Sequence, residues 1–369
     1  VMKSPLFSEE GKRRIAMEPD IPRRTETTDE SLASFVTRRL GREVLDRIAQ
    51  PLAGGIYTAD PSRLSVSATM PRFVEMERRY GSVIRGLRAA ARTRTAESRG
   101  TSGARWSLFL GFKSGIGTIV DALASRLDGT IRYGAEVIAI TRRSEAQGVG
   151  DTSEATDPAA RWRLNLRDGA SFDADAVVCA APAFAIAPML ETVEPELARM
   201  LSRIRYTSAT TVNMAFRAKD FPKPPSAFGF VVPIVEGRRI IAGSFSSLKF
   251  AGRAPDEMIL ARVFLGGALQ TEIMKLSDME MVAAAREEFS SLLGVTADPI
   301  LTCVRRWPNS MPQYAVGHLE RVAEIERAVE RIKGLTLAGA YLRGVGIPDC
   351  IASGERAAET IFSGLMSKM

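Results

Sequence analysis

The strongest constraint on the fold lies close to the C-terminus. Residues 335–340 (Leu-Thr-Leu-Ala-Gly-Ala) form a short apolar run, and Gly344 and Gly346 follow in a turn. Pro348 and Asp349 then open a helical pattern over 349–366, because a proline and an acid both suit a first helical turn. Small residues at Ala352, Ser353, Gly354, Ala357 and Ala358 let that helix lie close to a strand or to something flat. Its first turn offers unpaired N–H groups at the positive end of the helix dipole, where a negative group is favoured. On the residues alone two readings stay open: a tight strand–turn–helix packing device, or a site for a group that is or becomes negative.

With 369 residues the chain is too long for one ordinary domain. Three dispersed cysteines (Cys179, Cys303, Cys350) exclude a disulfide framework and a cysteine zinc site. The single histidine, His318, excludes multi-histidine metal centres and argues against a histidine-based triad. The formal net charge is +7, and all of it lies in residues 1–105, with 20 Lys and Arg against 13 Asp and Glu. Such a region suits an anionic partner such as a membrane surface or an acidic substrate, or is simply a solvated arginine-rich helical face. No secretory leader is expected in residues 1–30, which are charged throughout. The longest uncharged apolar stretch, 176–190, carries Pro182 and Pro188 and is too short to span a bilayer. A cytoplasmic protein is expected, with any membrane contact peripheral on the inner face.

Helical spacing dominates residues 1–90, and the basic stretch 91–105 reads as a loop. Gly115-Ile-Gly-Thr opens a helix over 119–127. The segment mimics a dinucleotide fingerprint, but Val120 stands where a third glycine belongs, so it reads as a helix start. Strands are expected at 136–140, 162–166 and 176–179, with Asp168-Gly169 as a hairpin turn and 144–159 as an exposed insertion. Further strands are expected at 210–216, 228–232, 240–247 and 258–265, and a helix at 280–293.

Three segments then resemble one family in order and spacing. They are Gly55-Ile-Tyr-Thr-Ala-Asp-Pro-Ser-Arg-Leu-Ser, Met311-Pro-Gln-Tyr-Ala-Val-Gly-His and Gly344-Val-Gly-Ile-Pro-Asp-Cys-Ile. The chain resembles the FAD-dependent amine oxidase superfamily and, within it, the protoporphyrinogen oxidases. The resemblance implies an α/β fold with α+β insertions: a Rossmann-like FAD-binding domain, a mixed-sheet substrate domain and a helical lobe. Residues 1–104 would be the lobe, 105–185 and 316–369 the FAD-binding domain, and 186–315 the substrate domain. The family's N-terminal strand, GxGxxG turn and helix have no counterpart here, so the chain is expected to be a fragment with an incomplete FAD-binding domain.

The resemblance also implies site residues. Val137 would hold the adenine of FAD through its backbone. Trp307 would face the flavin; without the resemblance it is a core tryptophan in a Pro-rich turn. Val345, Gly346 and Ile347 would lie under the isoalloxazine, with Gly339 beside it. Ala340 stands where relatives often carry an acid, which removes a ribityl contact. Phe228, Gly229, Val231 and Phe264 would contact the tetrapyrrole; the residues alone say strand core.

The implied reaction oxidises protoporphyrinogen IX to protoporphyrin IX in heme biosynthesis, with dioxygen as acceptor and hydrogen peroxide as product. Coproporphyrinogen III oxidation, a desaturase or amine oxidase activity, and an inactive binding protein are the alternatives. The cofactor does the chemistry, so no catalytic side chain and no metal is expected. Expected partners are the porphyrinogen, dioxygen, an anionic membrane surface and a second copy of the chain as a homodimer, but no nucleic acid. Pelleting with anionic liposomes at low salt tests the membrane expectation; protein left in the supernatant refutes it.

Overall fold

The computed structural model describes residues 3–98, 111–143 and 161–366. Residues 106–110 and the whole of the expected insertion at 144–159 lie outside them. The chain divides into two compact units, Val1–Thr118 with Tyr206–Val316, and Ile119–Arg205 with Gly317–Met369.

In the second unit, β1 (Val137–Arg142), β2 (Trp162–Leu166) and β3 (Ser171–Ala174) form an antiparallel sheet. Asp168 and Gly169 make the β2–β3 turn, with Gly169 at φ +91. Trp162 is fully buried beneath the Arg142 guanidinium, which stands 4.2 Å from the ring centroid. Next, β4 (Val177–Cys179) pairs in parallel with the chain's last strand, Leu335–Leu337, which is wholly buried. Helices His318–Glu330 and Ile347–Met366 pack on that pair. The last strand is shorter than expected because Gly339, at φ +144, turns the chain away. The helix begins at Ile347, ahead of the expected 349, and Pro348 sits in its first turn where no N–H is needed.

In the first unit, β5 (Tyr206–Arg217), β6 (Gly229–Val231), β7 (Ala242–Phe245), β8 (Met258–Gly266) and β9 (Leu301–Pro312) form one sheet in the order β6-β7-β8-β5-β9. Every pairing in it is antiparallel, so the expected mixed sheet is corrected. The links 232–241 and 246–257 carry only single helical turns and no crossover helix, which suits antiparallel neighbours. Alternation sends Val212, Met214, Phe216, Ala261, Val263 and Phe245 to one face. The helix Asp278–Leu293 covers that face with Met281, Ala284, Ala285 and Phe289. This helix opens with a Ser277–Glu280 capping box and stops at Gly294, φ +70.

Two sequence expectations fail here. The segment 240–247 ends as a strand at Phe245, and Ser246–Lys249 is a helical turn. The twelve-residue β9 is not foreseen, because Pro308 and Pro312 and its polar run hide it. Its register to β5 slips: Thr207 faces Met311 and Ala209 faces Trp307, with Asn309 at φ +44 in the bulge. Asn309 N–H donates to Ser208 Oγ there, at 2.9 Å.

Helices Glu9–Ala16, Leu32–Leu40, Gln50–Tyr57, Pro71–Tyr80 and Val83–Ser98 belong to the same unit. Residues 91–98, expected as loop, continue the last of these. The Ser31 side chain caps Leu32–Leu40 and Gly41, φ +95, ends it. At the centre lies a buried ionic cluster: Arg39 pairs with Glu18, both 0 % exposed, and Arg39 Nη1 reaches Glu77 at 3.5 Å. Glu18 also accepts from Ser82 Oγ and from the N–H groups of Val83 and Ile84.

Candidate functional site

The face of the five-stranded sheet opposite the helix Asp278–Leu293 is half-exposed. Strand register fixes which side chains share it. Val231 on β6, Ala242 on β7, Phe264 on β8, Thr211 on β5 and Arg305 on β9 form one row. The neighbouring row is Gly229, Ser244, Arg262, Asn213 and Cys303. On the other side, Ala209 pairs with Trp307. Trp307 is 51 % exposed and its Nε1–H points to Thr211 Oγ1 at 3.4 Å.

Four residues named from sequence are thus brought to one surface: Gly229, Val231, Phe264 and Trp307. Phe228 precedes β6, is 64 % exposed and does not enter the row. Glycine is required at 229, where a Cβ would lie 2.4 Å from the Gly243 carbonyl oxygen. Trp307 lies on a strand of this face rather than in a turn or a core. Thr211, which orients it, goes unnoticed in the sequence; its signal is the period-two alternation of β5.

The motifs are physically joined. Gln313 Nε2 donates to the Tyr57 carbonyl (3.0 Å) and to Thr207 Oγ1 (2.9 Å), and Thr58 Oγ1 meets Thr207 Oγ1 at 2.6 Å. The Tyr314 carbonyl accepts from Ser65 N–H at 2.7 Å, and Leu64 bridges Ala315. The 55–65 and 311–316 segments therefore form one hydrogen-bonded seam beside the open face. Gly55 packs its helix against β6, where a Cβ would meet Val231 Cγ1 at an ordinary contact distance of 3.5 Å.

In the second unit, His318 is fully buried and its Nε2–H donates to the Leu342 carbonyl at 2.9 Å. It thereby braces the third motif's turn. Gly339 N–H donates to Ser353 Oγ at 3.1 Å, tying strand end to helix. Gly344 sits at φ +101, and a Cβ on it would lie 2.5 Å from Asp349 Cγ. The Asp349 carboxyl thus folds back into the turn at the helix N-terminus. Val345 and Gly346 are half-buried, while Ile347 and Ile351, one turn apart, are 49 % and 47 % exposed. Ala340 is half-buried after Gly339. Val137 opens β1 opposite Leu166, half-buried.

A glycine turn beside two exposed isoleucines fits the edge of a flat apolar ring. Two of the three thiols are held in the protonated form. Burial pushes Cys179 up to about 11. Burial first, and the Asp349 carboxylate second, also raise Cys350. A cleft of about 720 Å³ runs along the last strand, lined by Leu337, Ser353, Ala357 and Ile361 among others. No helix among the described residues is long and apolar enough to cross a membrane.

Comparison with known proteins bears on this arrangement. The family of flavin containing amine oxidoreductases matches residues 2–362. Coproporphyrinogen III oxidase of Bacillus subtilis (strain 168) is 31% identical over 98% of this chain and 73% of its own length. Chloroplastic protoporphyrinogen oxidase of Nicotiana tabacum is 26% identical over 92% of this chain and 63% of its own. A crystal structure from Exiguobacterium sp. 255-15, provisionally named a protoporphyrinogen oxidase, superposes with a TM-score of 0.78 at 26% identity. It covers 97% of this chain and 73% of the solved one. The glycine turn and the helix behind it are therefore parts of a flavoprotein: the chain belongs to the flavin containing amine oxidoreductases, among the porphyrinogen oxidases, and its cofactor is FAD.

Proposed function

We propose that this chain oxidises a porphyrinogen to the porphyrin in heme biosynthesis. We read 105–185 and 316–369 as the FAD-binding part, 186–315 as the substrate part and 1–104 as its helical lobe. When bound, FAD supplies the acceptor for a hydride equivalent from the substrate, and dioxygen restores it with release of hydrogen peroxide. The protein's share is binding and orientation. Gly346, Val345 and Ile347 line the flavin ring, Val137 receives the adenine through its backbone, and Gly339 and Ala340 border the ribityl chain. Val231 and Phe264 give the tetrapyrrole an apolar surface, and Thr211 holds the Trp307 indole in one orientation.

The observation that carries this reading is the open sheet row, in which an apolar patch and an oriented tryptophan share one face. Protoporphyrinogen IX is the first substrate considered. Coproporphyrinogen III is the second, favoured by the 31% identical relative of that name.

The test is direct. Purified protein reconstituted with FAD is mixed with each porphyrinogen, and porphyrin fluorescence and peroxide are followed. Porphyrin and peroxide appearing together support the reading; a yellow protein that oxidises neither substrate refutes it.

A further inference from the structure

The open face carries two cations for which the motifs give no reason. Arg262 and Arg305 are both exposed, and neither pairs with a carboxylate among the described residues. Their neighbours behave differently. Arg306, on the opposite face, is engaged by Asp278 and by the Met274 and Leu276 carbonyls. Arg238 and Arg239 pair with Glu288 and Glu287.

Arg262 is also held. Its Nε–H donates to Asn213 Oδ1 at 2.9 Å, and Asn213 Nδ2 donates in turn to the Cys303 carbonyl at 3.2 Å. The Asn213 clamp uses one edge of the guanidinium, and the terminal amino groups bond nothing among the described residues. Arg305 stands in the row of Phe264 and Val231, and Arg262 one row away. Two strand spacings and one same-face step separate them by about 12 Å, on the scale of a tetrapyrrole macrocycle. A clamped Arg262 and an exposed Arg305, with Thr211 and Asn213 between them and Phe264 beside them, match a flat ring with carboxylates on its rim, which guanidinium binds through paired N–H groups.

We propose that Arg262 and Arg305 are carboxylate-binding residues of the open face and select a tetracarboxylate porphyrinogen over a dicarboxylate one. This deepens the function proposed above and rests on it. A ring with a carboxylate on every pyrrole presents acids to both arginines in any orientation; a ring with two, on adjacent pyrroles, does so in one orientation and otherwise turns a vinyl edge to a cation.

The test is equilibrium binding to the FAD-loaded full chain, read by quenching of tryptophan emission. The ligands are coproporphyrin III, with four carboxylates, and protoporphyrin IX, with two. Arg262→Gln and Arg305→Gln should each weaken coproporphyrin III about tenfold or more and protoporphyrin IX about twofold or less. Arg262→Lys should recover part of the loss, because charge returns without the clamp. Unchanged coproporphyrin III binding in both Gln variants overturns the assignment, and so does an equal loss for both ligands. Wild-type protein that binds neither porphyrin overturns the porphyrinogen reading itself. Thermal melting of each variant, expected to match wild type, separates a lost contact from a lost fold.

Discussion

Arg39→Ala is expected to destabilise the protein by about 3–5 kcal/mol, because it leaves a buried carboxylate without its counter-ion. Arg39 and Glu18 have no solvent exposure, so the carboxylate left behind is cut off from bulk solvent. The guanidinium also holds the Ile21, Pro22, Glu18 and Gly81 carbonyls, so its loss opens several backbone acceptors at once. Denaturant titration measures the loss. The double variant Glu18→Gln with Arg39→Met should recover the part due to the orphaned charge, while the share due to the four backbone carbonyls stays lost. A double variant as weak as the single one would show that packing, not the orphaned charge, is responsible.

The same cluster sets an acid limb. Burial opposes ionisation of Glu18, but bonds from Ser82, Arg39, Ile84 and Val83 outweigh it and hold the carboxyl below its ordinary 4.5. Glu77 is lowered too, burial again being outweighed, here by Arg38 and the Arg24 N–H. A depressed folded value means the contribution is complete above the ordinary value. It is lost as pH falls through the folded one. Wild-type melting temperature should therefore hold steady down to about pH 4.5 and then decline. The gap between wild type and Arg39→Ala should narrow over that limb, because protonation removes the orphaned charge.

Gly344→Ala is the second large effect. The residue sits at φ +101, and its new Cβ would meet Asp349 Cγ at 2.5 Å. Strained backbone of this kind costs about 1–3 kcal/mol, and the displaced carboxyl adds to it. If the free turn relaxes to another conformation, the cost appears as weaker FAD binding, about tenfold or more. If the surrounding fold enforces the turn, it appears in the melting temperature. Flavin absorbance at fixed FAD and a thermal melt together capture both. Neither moving would refute the role given to this turn. Gly354→Ala, in the same helix with nothing near its Cβ, is the control.

Much of the fold was legible. The helix expected at 280–293 is found two residues longer, as Asp278–Leu293, and β8 follows from clean alternation. β9 was not legible, because its prolines and polar residues resemble a loop until β5 is there to pair with it. The motifs could be read one by one, but their joining through Gln313 and His318 could not. Those bonds span 256 residues in one case and 24 in the other, and no local pattern encodes them. The arginines of the open face were equally hidden, since a charge within a strand shows its side only once register is known.

The β9 bulge has a consequence for how this segment can change. Between the pairs Thr207–Met311 and Ala209–Trp307, β5 advances two residues while β9 advances four. The surplus is even, so parity is conserved across the irregularity. Loss or gain of a single amino acid between 308 and 310 would invert one flank, turning Trp307 and Arg305 toward the helix and Arg306 outward. Length variation at this point is tolerable in steps of two.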